Sequence, residues 1–230
     1  MSVQERNIVL KCVNLHKSFQ TEAGSLDVLK GVDLEISQGE MLAIVGASGV
    51  GKSTLLHILG TLDRPTKGEV KFDNNDIFSL NDKELALFRN QKIGFVFQLH
   101  HLLPEFNTLE NVMMPRLIAG EQREDIKGKA LDLLDRVGIK DRATHLPAEL
   151  SGGEQQRVAV ARALISQPQI VIADEPSGNL DQKTAEDLHN LLKDLNVNQG
   201  YTFIIATHNQ SLAQKAERIV TLKDGKAILN

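Results

Sequence analysis

The stretch GASGVGKST, Gly46 to Thr54, constrains this chain more than any other segment. It fits the pattern G-x-x-x-x-G-K-[ST] and stands between an apolar run, MLAIVG, and a helix-prone segment, KSTLLHILGTL. An apolar run that short fits a strand buried on both faces of a helix-covered sheet. Glycines let the connecting loop turn its backbone N–H groups inward, and the start of the helix adds positive potential. Gly46, Ala47, Ser48, Gly49, Val50, Gly51, Lys52, Ser53 and Thr54 are therefore expected to cradle a polyphosphate. In such a loop Lys52 reaches the β- and γ-phosphates and Ser53 turns its hydroxyl to Mg²⁺. The expected ligand is a nucleoside triphosphate. A GTPase would add an N-K-x-D motif for its base, and the sequence has none.

Around this loop the hydropathy pattern is that of an α/β chain. NIVLKCVNL and DVLKGVDLEI alternate as strands with one wet face, and EVKFDN reads as a third strand. From about Lys83 to Gln167 the pattern is mostly helical, broken by the strand KIGFVFQ and a loop around Pro104. EDIKGKALDLLDRVGI carries apolar residues at helical spacing, with Gly138 as its stop. After SQPQ come the strand IVIADE, the helix AEDLHNLLKDL, the strand YTFIIATH and a short helix. RIVTLKDGKAIL closes as a hairpin turning on Asp224-Gly225. The expectation is an α/β core, residues 1–98 and 168–230, into which a helical subdomain, 99–167, is inserted.

A second motif narrows the chemistry. In QIVIADEPSGNLD four apolar residues lead into Asp174 and Glu175. They put Asp174 at the C-terminal end of a buried strand, where open α/β sheets bind ligands. Asp174 suits the Mg²⁺ shell beside Ser53. Glu175, one residue further on, suits the general base that orients and polarises a water attacking the γ-phosphate.

Composition excludes several alternatives. A net charge of −4 gives no global basic field, so nucleic acid is not an expected partner. The single cysteine, Cys12, forms no intramolecular disulfide and is expected as a small core residue of the first strand. No segment approaches the roughly eighteen apolar residues of a membrane span, and MSVQERNIVL lacks the apolar stretch of a signal peptide. A cytoplasmic chain is expected, with any membrane-spanning part supplied by another protein. His57, His100 and His101 are expected as surface or packing residues, because neighbouring histidines on a strand point to opposite sides.

ELSGGEQQRVAVARAL, Glu149 to Leu164, opens on small residues and then commits to a helix. Ser151 and Glu154 have the S-x-x-E spacing of a capping box. Gly152 and Gly153 would equally let an anion approach the helix amides. On these residues alone both readings stand.

Six motifs in order, GASGVGKST, Gln98 in FVFQ, LSGGEQQ, IVIADE, SGNLD and His208 in IATHN, resemble the nucleotide-binding subunits of ATP-binding-cassette transporters over nearly the whole chain. The resemblance implies a P-loop NTPase core of RecA-like fold with an antiparallel β subdomain and the inserted helical subdomain. It implies ATP and Mg²⁺ as ligands and a head-to-tail homodimer. In that dimer Ser151, Gly152 and Gly153 of one copy cap the γ-phosphate held by the other, and small residues there admit a tight sandwich. It also implies that Gln98 contacts Mg²⁺ or the attacking water, and that His208 bonds the γ-phosphate and organises Glu175. Asp181 would communicate across the dimer. Phe19 in HKSF falls where the family stacks an aromatic on adenine, although an ordinary strand-end phenylalanine fits the residues as well. Ser177 stands where close relatives often have Thr, and Asn209 where Asp is common; neither removes a catalytic group.

Within the family, FQLHHLLPEFNTLENVMMP and LLHILGTLDRPTKGEV are similar to the ATPases of lipoprotein-releasing systems. This implies two copies on the cytoplasmic face of the inner membrane, peripheral, bound to two integral membrane subunits and without direct cargo contact. ATPases of macrolide and peptide exporters, and of the complex that activates wall hydrolases in division, share much of the pattern and stay open. ABC ATPases of DNA repair or translation are more remote, since no heptad insertion and no second cassette occur here.

Overall fold

A computed structural model of the chain describes residues 7–22 and 24–229. The start of MSVQERNIVL, residues 1–6, lies outside the described residues. The chain opens with a long hairpin, β1 (Ile8–Thr21) and β2 (Gly24–Ser37), followed by β3 (Met41–Val45) and α1 (Lys52–Leu59). Then come β4 (Lys67–Phe72), the two-residue β5 (Asn75–Asp76), α2 (Asp82–Lys92) and β6 (Ile93–Phe97). The helices α3 (Thr108–Ile118), α4 (Arg123–Arg136) and α5 (Gly152–Leu164) follow. The chain returns through β7 (Ile170–Asp174), α6 (Gln182–Gln199), β8 (Phe203–Ala206), α7 (Gln210–Lys215), β9 (Arg218–Lys223) and β10 (Lys226–Leu229).

Two sheets result. One is antiparallel with order β2-β1-β4-β5; the other runs β10-β9-β3-β8-β7-β6. In the second sheet β9, β3, β8, β7 and β6 are parallel and β10 turns back antiparallel on β9. Its central strands are the short apolar runs: MLAIV, IVIAD and FIIA are buried except at the C-terminal residues Val45 and Asp174. Helices on both faces account for that pattern. One core joins the antiparallel sheet to Leu55, Leu56, Ile58 and Leu59 of α1. A second packs α3, α4, α5 and α6 against the other face of the parallel sheet. Register brings the strand ends level, with Phe97 beside Asp174, Asp174 beside Ala206 and Ile44 beside Ala206. The loops leaving β3, β6, β7 and β8 therefore meet at one edge.

The hairpin strands run further than alternation indicates, because pairing continues through Phe19↔Leu26 to Thr21↔Gly24. Their outer ends are exposed and carry no buried face for the pattern to mark. Cys12 is a core residue of β1, and burial pushes its thiol up to about 12. The closing hairpin turns at Asp224 and Gly225, with φ of 50° and 79°. His100 and His101 are half-buried and exposed, the packing and surface residues expected, but their placement differs. They lie in the loop after β6 rather than on a strand, with His101 at φ 48° and its ring edge-on to Phe97.

Candidate active site

The loop between β3 and α1 is held open by its glycines. Gly46 has φ 155°, and a methyl group there would sit 2.4 Å from the carbonyl oxygen of Leu222. Gly51, at φ 107°, is the cap residue of α1, and its added methyl would meet Val28 at 2.7 Å. No side chain caps α1, so none competes with a ligand for its first amides. Lys52 Nζ donates to the carbonyls of Gly46 and Ala47 at 2.9 and 3.1 Å, which keeps the ammonium over the loop.

This loop forms the floor of a cavity of about 540 Å³. Of the residues singled out from sequence, Phe19, Ser48, Gly49, Gly51, Lys52, Ser53, Thr54, Gln98, Asp174, Glu175 and His208 all line it. Gly46 and Val50 back the loop against Leu222 and the core. Phe19 is no core residue: it is 40% exposed on β1, with Lys17 Nζ 4.9 Å from its ring centre.

Glu175 and His208 come from the ends of adjacent strands. Glu175 takes φ 46°, left-handed for a residue with a side chain, and its N–H donates to Ala206 O at 2.9 Å. Its Oε2 lies 2.9 Å from His208 Nδ1 and also accepts the His208 backbone N–H at 3.3 Å. Both bonds fall on Oε2. Gln98 Nε2 donates to Asn179 Oδ1 at 2.9 Å, while Asn179 Nδ2 donates to Gln98 O at 3.3 Å. A methyl group on Gly178 would stand 2.8 Å from Gln98 Nε2, so that glycine makes room for the pair.

Ser151, Gly152, Gly153 and Asp181 are not among the residues lining this cavity. At the start of α5 the capping box forms: Glu154 N–H donates to Ser151 Oγ at 3.3 Å, and Ser151 N–H to Glu154 Oε2 at 2.8 Å. Arg142 Nε donates to Glu154 Oε1 at 2.8 Å, and chiefly this bond pulls the carboxyl down to about 2. A methyl group on Gly153 would lie 2.3 Å from Thr184 Cγ2 of α6, whereas Gly152 has only ordinary contact with Leu180. Smallness at Gly153 thus has a cause within the chain, which differs from the sandwich argument. Asp181 caps α6, accepting from the N–H groups of Lys183 and Thr184 at 3.1 Å. The Thr184 hydroxyl is the main cause that lowers its carboxyl below the usual range.

A model of the family described as ABC transporter matches residues 29–178. This chain belongs to the ABC transporter family. It is an ABC ATPase, and it is 54% identical to the lipoprotein-releasing system ATP-binding protein LolD of Geobacter metallireducens, over 96% of this chain and 98% of that protein. The protein of the same name from Syntrophus aciditrophicus is also 54% identical, over 94% and 96% of the two chains. Among solved structures it is similar to a dimeric bacterial ABC transporter cassette, MJ0796. The TM-score is 0.87 and the identity 44%, with 95% of this chain and 96% of that one covered. The same cassette in a post-hydrolysis state bound to ADP and Pi has a TM-score of 0.87 at 43% identity.

Of the cavity-lining residues expected at a metal, Ser53, Gln98 and Asp174 offer a hydroxyl, an amide and one carboxylate. Among the described residues no group of three or more His, Cys, Asp or Glu could hold a metal. Such a hard but sparse oxygen set fits Mg²⁺, which keeps waters and shares phosphate oxygens, and not a cation needing a full protein cage. Sequence reasoning missed Leu26 and Val28, which line the cavity beside Phe19, and Asn179, the partner of Gln98. It also missed Thr184. Leu26 and Val28 looked like ordinary strand residues, and only the hairpin's placement over the loop brings them to the site.

Proposed function

We propose that this chain is one of two identical nucleotide-binding subunits of a lipoprotein-releasing ABC transporter, hydrolysing ATP with Mg²⁺ at the cavity above. Residues 1–98 and 168–230 form its ATP-binding core and 99–167 its signature subdomain. Gly46 to Thr54 bind the polyphosphate, with Lys52 at the β- and γ-phosphates. Phe19 offers its exposed face to adenine. Ser53, Gln98 and Asp174 hold Mg²⁺, which when bound neutralises phosphate charge in the transition state. Glu175 accepts the proton of the attacking water through Oε1 while His208 holds the carboxylate at Oε2 and faces the γ-phosphate. Ser151, Gly152 and Gly153, absent from the lining of the chain's own cavity, close the site of a second copy in head-to-tail pairing, and Asp181 couples the two sites.

The observation that carries the ATPase roles is Glu175 and His208, 2.9 Å apart, in one cavity with Lys52, Ser53 and Asp174. The cargo reading is supported by the name LolD on relatives 49–55% identical to this chain. No helix of the described residues is long and apolar enough to cross a membrane, which fits a peripheral subunit on the cytoplasmic face of the inner membrane served by separate membrane partners. Depletion in the native cell followed by membrane fractionation tests this. Lipoproteins bound for the outer membrane are expected to stay in the inner one. Normal sorting with failed division or lost drug export would overturn the cargo and leave the ATPase intact.

A further inference from the structure

Beneath the Glu175–His208 pair lies a second polar chain, separate from the cavity. Ser177, 7% exposed, sits two residues after Glu175, in the turn where Gly178 N–H donates to Glu175 O at 3.0 Å and Leu180 N–H to Ser177 O at 3.1 Å. Its Oγ is 2.8 Å from Nε2 of His189, a histidine only 1% exposed on the inward face of α6. The other side of the ring, Nδ1, is 3.6 Å from Glu186 Oε2, outside hydrogen-bond length but close enough to feel the charge. Glu186 in turn accepts from Ser211 Oγ and Lys215 Nζ of α7, each at 2.7 Å. Lys215 Nζ also donates to Asn190 Oδ1 at 2.9 Å, so three bonds staple α7 to α6. The residue before the α7 cap is His208.

The chain Ser177–His189–Glu186–Ser211/Lys215 therefore links the turn that carries Glu175 to the helix that follows His208. The inward face of α6 is otherwise Ala185, Leu188, Leu192, Leu195 and Asn196. A buried histidine among them is destabilising unless it bonds. Burial also lowers its pKa, which favours the neutral ring. With the Glu186 carboxylate on the Nδ1 side, the proton belongs on Nδ1 and Nε2 accepts the Ser177 hydroxyl. Glu175, meanwhile, holds a left-handed conformation that persists only if its surroundings over-determine it.

We propose that His189 is a positioning residue for ATP hydrolysis, gripping Ser177 so that the following turn holds Glu175 against His208. The proposal rests on the roles given to Glu175 and His208. It is tested by steady-state ATPase assays on the full chain with ATP and Mg²⁺. His189→Leu is expected to lower kcat roughly tenfold with KM for ATP within about twofold, because nucleotide contacts stay in place. His189→Gln, whose amide reaches the same hydroxyl, is expected to recover kcat to within about threefold of wild type. Ser177→Ala should match the leucine variant, Ser177→Thr should stay near wild type, and the Ser177→Ala/His189→Leu double variant should lose no more than either alone. The serine pair carries the test if the leucine variant does not fold. Unchanged kcat in His189→Leu and Ser177→Ala, losses that add, or a loss the glutamine does not recover would overturn the proposal. A wild-type chain without ATPase activity, or a Glu175→Gln variant at full rate, would instead refute the roles of the cavity and take the proposal with them.

Discussion

The starts of α1 and α5 look alike in sequence, since both are marked by glycines and both point to phosphate, yet they are built in opposite ways. At α1 the cap is Gly51 in a left-handed conformation, with no side-chain bond to the first amides. At α5 Ser151 and Glu154 close a capping box, and Arg142 anchors the glutamate. Gly51 is there for its backbone angle and its clearance from Val28; Gly153 is there because Thr184 fills the space a methyl would need. One end is left open for an anion bound within the chain. The other is closed by the chain's own side chains and packed on α6, which leaves the small Gly152 facing outward. A glycine in a motif therefore states that something must be small, not what presses on it.

Substitutions at the two ends should separate accordingly. Lys52→Ala is expected to weaken ATP binding roughly a hundredfold, the loss of charge-assisted contacts worth about 3 kcal/mol, without changing the melting temperature. Titration with a fluorescent ATP analogue reads this, and an unchanged affinity would remove the role of Lys52. Gly153→Ala should act on the fold instead. Overpacking against Thr184 is expected to cost about 1–3 kcal/mol in urea unfolding, and Thr184→Ser, which deletes the clashing methyl but keeps the hydroxyl that bonds Asp181, should recover most of it. If Gly153→Ala is as stable as wild type, the intrachain cause is wrong. Ser151→Ala is expected to cost about 1 kcal/mol through loss of the cap, measured the same way.

The smallest effect is on pH. Glu154 titrates at about 2 in the fold against its ordinary 4.5, chiefly because of the Arg142 hydrogen bond and then the Ser151 bonds. A depressed carboxylate stabilises above its unfolded value, and that contribution is lost as pH falls from 4.5 towards 2. Allowing for solvent screening, the loss is on the order of 1 kcal/mol. Arg142→Gln should flatten the stability profile in that window, and an unaltered profile would count against the pair.

Much of this site was legible because its residues sit within short motifs whose local structure is determined locally. Asp174 ends a buried strand because IVIA precedes it, and Lys52 starts a helix because the loop glycines allow the turn. The rest depends on segments far apart in sequence. Asn179 meets Gln98 across 81 positions, Gly153 meets Thr184, and His189 reaches Ser177 only because α6 folds back beneath β7. The helical spacing of Ala185 and Leu192 sets His189 on the buried side of α6, but nothing in that spacing names Ser177 as its partner. The ends of β1 and β2 were likewise hidden, since pairing there continues without a buried face.

In the proposed pairing α5 serves a second copy while α1 serves its own chain. Glu175→Gln, which keeps the ATP contacts and removes the base, tests this directly by size exclusion with light scattering. With ATP and Mg²⁺ the variant is expected to move from the mass of one chain to that of two, and the further change Ser151→Arg, placing bulk at the start of α5, should return it to one. A Glu175→Gln chain that stays at the mass of one chain with saturating ATP, or that dimerises equally well with Ser151→Arg, would contradict the pairing.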